Sequence, residues 1–238
     1  MHSPKVLYED NHLIVVDKPA NMPCVPDETR DLSTYDWVRQ YIKKKKNKPG
    51  NVFLGIFQRL DRPVSGVLAF AKTSKAARRL NEAIKGSGLR KYYLAITVGL
   101  PPKAQGREYL WLKKDRRKNV VAISHYGVGQ RAVTKWRLMR KIGANRGLVL
   151  LEPETGRPHQ LRITLANMGC PIEGDVKYGA PTPLKDRSIA LHSTILQLFH
   201  PVKKVELYIL SAPKRPPFPK IPDSEVLSLW KNSPSQGE

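Results

Sequence analysis

Short apolar segments of strand length dominate the pattern of hydrophobic and polar positions along the chain. They alternate with polar residues or run apolar for a few positions, and Gly, Pro, Asn and charged turns separate them, which predicts β-strands. The predicted strands are residues 5–9, 12–17, 52–57, 66–71, 90–98, 108–112, 119–124, 132–140, 147–152, 189–199 and 205–210. Because most of them follow one another directly, we expect a mainly antiparallel sheet.

Helical periodicity predicts four helices, at residues 32–46, 74–85, 157–168 and 224–230. Ser74 is placed to cap the second helix and Gly86 to end it. Pro158 is tolerated in the first turn of the third helix, and Gly169 follows its last turn. The class is therefore α+β, with helices and loops flanking a central mixed sheet. The proline-rich segment 212–222 is expected to cross the surface.

Length and composition fit one globular domain. The chain has 238 residues, of which 40% are hydrophobic and 26% charged, which argues against a disordered, fibrous or membrane-embedded protein. Its apolar stretches are shorter than the roughly 20 residues that span a bilayer, and the N-terminus lacks a secretion signal, so we expect a cytoplasmic protein. Cys24 and Cys170 have no CxxC partner, which indicates two reduced thiols rather than a disulfide or a zinc site.

Basic residues exceed acidic ones, with 42 Lys and Arg against 20 Asp and Glu and a net charge of +22. Such a charge suits nucleic acid, an anionic membrane or an acidic protein. The segment 35–46 could form a membrane-surface helix, but a core-packed helix whose basic last turn complements the helix dipole is simpler. Further basic clusters at 113–118 and 214–215 lie far apart, which favours a long polyanion bound across a face.

The stretch Arg59-Leu60-Asp61-Arg62 places a carboxylate between two guanidinium groups, in a polar loop between two predicted buried strands. Nearby positive charge keeps a carboxylate ionised, so Asp61 could act as a nucleophile or an electrostatic stabiliser. A structural ion pair at a loop would produce the same pattern.

The stretch from Thr155 to Arg162 brings two arginines, a histidine and a glutamine to the start of the third predicted helix. Free N–H groups there favour anions, so a phosphate contact and a buried helix-cap network are both open. His159 and Arg162 are three residues apart and are expected to share a helix face. No metal-binding spacing accompanies His159.

Two tyrosines, Tyr92 and Tyr93, begin a predicted strand and should point to opposite faces. We expect one in the core and the other facing a cleft, where it could stack on a base. Ordinary sheet packing is the alternative. Walker-type loops, a nucleophile elbow and paired catalytic carboxylates are missing from the sequence, and Gly86-Ser87-Gly88 is not a dinucleotide fingerprint.

Three of these segments, in this order, resemble the RluA-type family of RNA pseudouridine synthases. Gln58–Gly66, followed by Ala71-Lys72, is similar to the family's His-Arg-Leu-Asp-Arg-x-Thr-Ser-Gly stretch. Lys91–Ala95 is similar to its Lys-x-Tyr-x-Ala strand, and Thr155–Arg162 to its Thr-Gly-Arg-Thr-His-Gln-Ile-Arg motif. Supporting matches, within a likeness that covers about residues 5–210, are Asp17-Lys18-Pro19, Gly174-Asp175, Tyr178-Gly179, Leu191-His192 and His200-Pro201.

The resemblance implies the pseudouridine synthase fold, with an active-site cleft across the sheet, and isomerisation of uridine in ribosomal or transfer RNA. It gives Asp61 the catalytic role, as a nucleophile or as the base that starts elimination at the sugar. Tyr93 would stack on the uracil, and Arg162 would pair with Asp61. The expected substrate-binding residues are Arg59, Arg62, Arg157, His159, Gln160, Leu191 and His192. The reaction implies neither a metal nor a cofactor.

The chain departs from the family motifs at Gln58, Pro63-Val64, Asn21 and Pro158, which affects substrate fit more than chemistry. We expect a monomer with one catalytic domain, an extension at 211–238, and no small N-terminal RNA-binding domain of the S4 type. The protein's own surface would then supply its affinity for RNA.

Two other functions are weighed against the synthase. A non-catalytic RNA-binding or RNA-chaperone protein could keep the fold and the charge. A metal-dependent nuclease would need clustered carboxylates, whereas Asp61 is flanked by arginines. Activity that survives a chelator without strand cleavage would separate the synthase from the nuclease.

Overall fold

The computed structural model describes residues 3–47, 50–86, 88–115 and 120–231. The strands are β1 (Lys5–Glu9), β2 (Leu13–Lys18), β3 (Gly55–Ile56), β4 (Ser65–Ala71), β5 (Leu89–Val98), β6 (Gln105–Asp115), β7 (Val120–Ile123), β8 (Gln130–Lys141), β9 (Arg146–Pro153), β10 (Leu191–Phe199) and β11 (Glu206–Leu210). The helices are α1 (Thr34–Lys45), α2 (Ser74–Lys85), α3 (Gln160–Asn167) and α4 (Asp223–Lys231), with a short 3₁₀ turn at Val176–Tyr178. The α+β prediction and the mainly antiparallel pairing are confirmed.

The chain divides into two compact units, and the first contains Met1–Leu89 and Ile195–Ser211. Here β2 pairs antiparallel with β1 and β4, β3 pairs with the end of β4, and β10 pairs with β11. The core contains Leu13, Val15, Val67, Ala69, Leu80, Leu196 and Ile209. All seven residues of β4 are buried, which explains why this strand reads as a continuous apolar run.

The strand predicted at 52–57 is wrong in extent, because only Gly55 and Ile56 pair with β4. Val52 and Leu54 are buried by side-chain packing outside the ladder. At Gly55 an added Cβ would lie 2.4 Å from the Ala77 Cβ. The absence of a side chain therefore lets α2 approach this short strand closely.

Both helices of the first unit have hydroxyl caps. Ser33 caps α1, where its Oγ accepts a hydrogen bond from the Asp36 amide at 3.1 Å, and lysines occupy the last turn as expected. In α2 the cap is Thr73 rather than the predicted Ser74, and the Thr73 Oγ1 accepts from the Ala76 amide at 3.2 Å. Ser74 lies inside the first turn, since the residue before it has the extended cap conformation.

The turn between β1 and β2 is held by the carboxylate of Asp10. It accepts hydrogen bonds from the amides of His12 and Leu13 at 2.8 and 2.9 Å, and from the Tyr8 hydroxyl at 2.9 Å. The ring of buried His200 lies 2.7 Å away. Partial burial acts to raise the pKa of Asp10, but these hydrogen bonds outweigh it and hold the pKa well below its usual range.

The second unit contains Arg90–Thr194 and Ala212–Glu238. Its strands pair antiparallel in the order β5, β9, β8, β6, β7. On one side of β6–β8 a core cluster forms with α3, made of Leu110, Leu112, Val121, Ala132 and Ile163. Within the described residues, no helix is long and apolar enough to cross a membrane.

The proline-rich segment 212–222 is only partly a surface crossing, which corrects the expectation. Ala212, Phe218 and Ile221 are buried, and the Phe218 ring packs edge-on against His192 at 6.3 Å between centroids. Apolar residues between the prolines therefore tie this segment to the second unit.

Candidate active site

Asp61 lies half-buried in the loop that joins β3 to β4. Its carbonyl accepts a hydrogen bond from the Val64 amide at 3.0 Å, which closes a tight turn. The next carbonyl, that of Arg62, accepts from the Asn21 amide at 2.8 Å. Leu60, on the other side, is buried. The backbone around Asp61 is thus anchored on both sides.

Lys18 is a second anchor of this loop, and its side chain is fully buried. Its ammonium group donates to the carbonyls of Pro19, Met22 and Arg62 at 3.0, 2.8 and 3.2 Å. A buried charge requires such partners. Lys18 belongs to the matched motif Asp17-Lys18-Pro19, which implies no role for it, and its contacts make it a positioning residue for the Asp61 loop.

The two arginines beside Asp61 differ in their surroundings. Arg59 is exposed. The guanidinium of Arg62 binds the Asp31 carboxylate, the Thr29 hydroxyl at 2.9 Å and the Asp27 carboxylate at 3.5 Å. The hydrogen bond from Arg62 lowers the pKa of Asp31. Arg62 is therefore held by an acidic loop, and its contact with substrate stays a prediction.

A surface cavity of about 400 Å³ lies beside this acidic loop. Its lining includes Arg30, Arg39 and Lys43. The two carboxylates in the lining are engaged, Asp31 with Arg62 and Asp36 with its helix cap. The cavity thus presents positive charge, as a contact for a phosphate group requires.

Tyr93 lies on β5 in the second unit, opposite Leu151 of β9. Tyr92 is fully buried, and Tyr93 is only 7% exposed. The expectation that one tyrosine would be open is therefore wrong for this chain, because the strand is enclosed on both faces. Burial lowers the pKa of the neighbouring Lys91, whose Nζ would lie 3.7 Å from a Cβ added at Gly156.

Helix α3 begins at Gln160, not at Arg157 as predicted. His159 has a left-handed backbone with φ of 55°, and Arg157 precedes a proline, which disfavours helical geometry. Arg157 and Pro158 therefore belong to the loop, and His159 does not share a helix face with Arg162. The Nε of Arg157 donates to the Arg131 carbonyl at 3.0 Å.

Gln160 organises this loop from a buried position. Its Oε1 accepts from the Thr155 hydroxyl at 2.8 Å and from the Arg157 amide at 3.0 Å. Its Nε2 donates to the Val133 carbonyl at 2.8 Å and the Thr134 hydroxyl at 2.9 Å. The buried-network alternative of the sequence analysis thus describes Gln160, which fastens the motif to β8.

Arg162 forms a buried two-point ion pair with Asp175. Its Nε and Nη2 each lie 2.7 Å from one oxygen of the Asp175 carboxylate, and the side chains are 7% and 1% exposed. The guanidinium carbon lies 4.9 Å from the centre of the Tyr178 ring. Asp175 and Tyr178 therefore fix the orientation of Arg162.

His159 is connected to the same group through Tyr178. Its Nδ1 is 2.5 Å from the Tyr178 hydroxyl. That hydroxyl accepts a hydrogen bond from the Val121 amide at 3.2 Å. Sequence reasoning gave no role to Asp175 or Tyr178, although Gly174-Asp175 and Tyr178-Gly179 were quoted as matches. The signal that could have identified Asp175 and Tyr178 was a charged and an aromatic residue within these matched motifs.

Leu191 and His192 open β10, and both are buried. Their predicted contact with substrate stays a prediction. The described residues contain no group of three or more His, Cys, Asp or Glu suited to a metal ion.

The comparisons with known proteins identify the class. The family model for RNA pseudouridylate synthase matches residues 12–167. An uncharacterized RNA pseudouridine synthase of Zymomonas mobilis is 36% identical over 202 residues, which cover 84% of this chain and 90% of the relative. The chain therefore belongs to the RNA pseudouridine synthases.

Further similarities define the branch of the family. The dual-specificity RNA pseudouridine synthase RluA of Haemophilus influenzae is 32% identical over 198 residues, or 83% of this chain and 87% of that protein. The structure of human RNA pseudouridylate synthase domain containing 4 superposes with a TM-score of 0.71 at 26% identity, covering 95% and 92% of the chains. A second human structure, domain containing 1, has a TM-score of 0.73 at 21% identity and shows the fold alone. The chain is an RluA-type enzyme.

Proposed function

We propose that this enzyme isomerises specific uridines in structured ribosomal or transfer RNA, with Asp61 as the catalytic residue. The observation that carries the proposal is the loop of Asp61. It contains the family's Arg-Leu-Asp-Arg sequence. Lys18 and Asn21 anchor its backbone by donating hydrogen bonds to the Arg62 carbonyl. A catalytic side chain needs a backbone held in this way.

The reaction breaks the N1–C1′ bond of the uridine, turns the uracil within the site and joins C5 to C1′. The C5 proton is lost and N1 gains one, so atoms and charge balance without a cofactor. Asp61 acts at the sugar, as nucleophile or as base. We propose that Tyr93, although only 7% exposed, stacks on the uracil, and that Arg162 orients Asp61. The pairing of Arg162 with Asp175 supports this role, since it fixes the guanidinium before RNA binds.

The target uridine must leave the RNA stack to reach Asp61, which costs a few kcal/mol. Arg59 and Arg62 are proposed to fill the vacated space or to hold a phosphate. Arg62 can do so only after it leaves Asp31. Arg157 and the cavity with Arg30, Arg39 and Lys43 supply further backbone contacts. We propose that the enzyme acts as a cytoplasmic monomer.

The test is the variant Asp61→Asn, which keeps the shape of the side chain and removes its charge. We expect it to bind RNA as the wild type does and to form no pseudouridine. Product formation is measured by mapping pseudouridines in RNA from cells that contain the wild-type protein, the variant or neither. Asp223→Asn, the same change at the start of α4, is the matched control and should retain activity. Normal product formation by Asp61→Asn would exclude the assignment.

The same mapping identifies the target RNA. RNA binding by the wild-type protein without any pseudouridine formed in cells or in vitro would favour the non-catalytic RNA-binding function instead.

A further inference from the structure

Strand β6 separates two different surfaces of the second unit. Leu110 and Leu112 point to α3 and join its core cluster. Side chains at alternate positions point the other way. Residues directly opposite in an antiparallel ladder share a face, so Arg131 joins Trp111 on this other side. We call it the β6 outer face, and it comprises Arg107, Tyr109, Trp111, Lys113, Asp115, Arg131, Lys135, Arg137, Glu152 and Glu154, together with Tyr126 from the turn after β7.

Aromatic rings lie open on the β6 outer face. Tyr109 is 52% exposed and Tyr126 is 90% exposed. The Tyr126 ring packs edge-on against Trp111 at 5.4 Å between centroids. Exposed rings grouped in this way mark an interaction surface rather than a core.

Arginines hold one of these rings in place. The guanidinium carbons of Arg107 and Arg131 lie 5.3 and 5.5 Å from the centre of the Tyr109 ring. Cation–π contacts of this kind fix the ring without covering its whole surface. Tyr109 is therefore oriented before any partner binds, which lowers the entropic cost of stacking.

Positive charge exceeds negative charge on this face. Five cations lie on it, namely Arg107, Lys113, Arg131, Lys135 and Arg137, against the three carboxylates Asp115, Glu152 and Glu154. Glu154 is shared by Arg107 and Lys135. An excess of cations interleaved with open rings is the combination that binds unpaired nucleic acid.

The face is continuous with the motif that contains Arg157. The Arg157 Nε donates to the Arg131 carbonyl at 3.0 Å. The Thr155 hydroxyl accepts from the Val133 amide at 2.9 Å, and Val133 lies opposite Tyr109. The predicted substrate-binding loop therefore borders the β8 residues that belong to this face.

A membrane surface is the competing partner, because aromatic and basic residues also suit an anionic bilayer. Membrane binding draws mainly on buried apolar area. The aliphatic side chains that pair into this face are covered or small, since Val133 is buried, Val120 is half-buried and residue 122 is an alanine. The arrangement thus favours RNA.

We propose that the β6 outer face binds unpaired nucleotides that flank the target uridine, with bases stacked on Tyr109 and Tyr126 and phosphates on the surrounding cations. The proposal rests on the proposed function in so far as that function brings RNA to the chain. It adds that the enzyme requires single-stranded or looped RNA next to its target.

The test compares Tyr109→Ala and Tyr126→Ala with wild type in binding a fluorescein-labelled oligouridine, followed by fluorescence anisotropy. Loss of one stacked base should weaken binding about tenfold in each variant. Tyr109→Phe, which keeps the ring, should bind as wild type. Tyr208→Ala is the matched control, an exposed tyrosine on β11 of the first unit, and should bind as the wild type does. Binding to a fully paired RNA duplex should be unaffected, since its bases are already stacked.

Oligouridine binding by both alanine variants at the wild-type level would overturn the proposal. So would unchanged oligouridine binding with loss of binding to phosphatidylserine vesicles, which would assign the face to a membrane. A folding defect would not explain weaker binding by Tyr126→Ala, because the Tyr126 side chain is almost fully exposed. The assay needs no catalysis, so a wild-type protein that binds through this face but forms no pseudouridine would refute the proposed function and leave the binding of unpaired RNA by this face standing.

Discussion

Removing one partner of the buried pair Arg162–Asp175 should destabilise the fold more than removing one partner of an exposed ion pair. Asp175→Asn keeps the side-chain size and removes the negative charge. It leaves the guanidinium of Arg162, 7% exposed, without the carboxylate that lies 2.7 Å from two of its nitrogens. The free energy of unfolding should fall as a result.

The magnitude follows from the geometry. Two unit charges with centres about 4 Å apart attract by about 4 kcal/mol at an effective dielectric constant of about 20. Breaking a buried pair by removing one partner costs about 3–5 kcal/mol, which agrees with that figure. The exposed pair of Arg78 and Glu82, 3.8 Å apart with side chains 70% and 61% exposed, should contribute about 0–1 kcal/mol.

Equilibrium urea unfolding followed by circular dichroism measures the effect. Asp175→Asn should shift the midpoint to lower urea by an amount corresponding to about 3–5 kcal/mol. Glu82→Gln, the same chemical change on α2, should stay within about 1 kcal/mol of wild type. Equal stability of Asp175→Asn and wild type would refute the claim that Asp175 compensates the buried guanidinium.

Three further predictions concern Lys18, Asp10 and the two cysteines. Lys18→Met removes the ammonium donor from three carbonyls, of which that of Arg62 keeps the Asn21 amide. It should lower the free energy of unfolding by about 3 kcal/mol, and a wild-type urea midpoint would contradict it. The lowered pKa of Asp10 stabilises the fold above the unfolded value of about 3.9. That stability is lost as pH falls further, so Asp10→Asn should flatten the decrease in urea stability below about pH 4. Burial raises the pKa of Cys170 to about 11 and also raises that of Cys24; Ellman's reagent at pH 8 should therefore modify neither thiol until urea unfolds the chain, and rapid reaction of the native protein would be the contrary result.

Much of the fold could be predicted from the sequence, because the spacing of apolar residues indicates which side of each element is buried. β1 and α2 have the predicted bounds, and β4 differs by one residue. The predicted bounds were wrong where tertiary contacts determine the backbone conformation. Most apolar residues at 52–57 are buried without pairing to another strand. The left-handed backbone of His159 prevents α3 from beginning before Gln160.

The motifs of the candidate site could be recognised in the sequence, but the residues that hold these motifs in place could not. The resemblance selected Asp61, Tyr93 and Arg162 by residue type and order. The partners that hold them lie elsewhere in the chain. Lys18 is 44 residues from Arg62, whose carbonyl it binds, and Asp175 is 13 residues from Arg162. No local pattern encodes such pairings, because they depend on how the elements pack.

The net charge of +22 therefore combines two kinds of positive residue with different sensitivity to salt. Lys18 and Arg162 are buried and held by carbonyls or a carboxylate, so solvent ions screen them little. Exposed groups such as Arg59 and Lys43 face water, where charges more than about 8–10 Å apart are largely screened at physiological salt. Ionic strength should accordingly act on the encounter with RNA and leave the geometry of the proposed catalytic loop unchanged. Under the proposed function, the exposed charge attracts the RNA, whereas the buried Lys18 holds the backbone of the Asp61 loop.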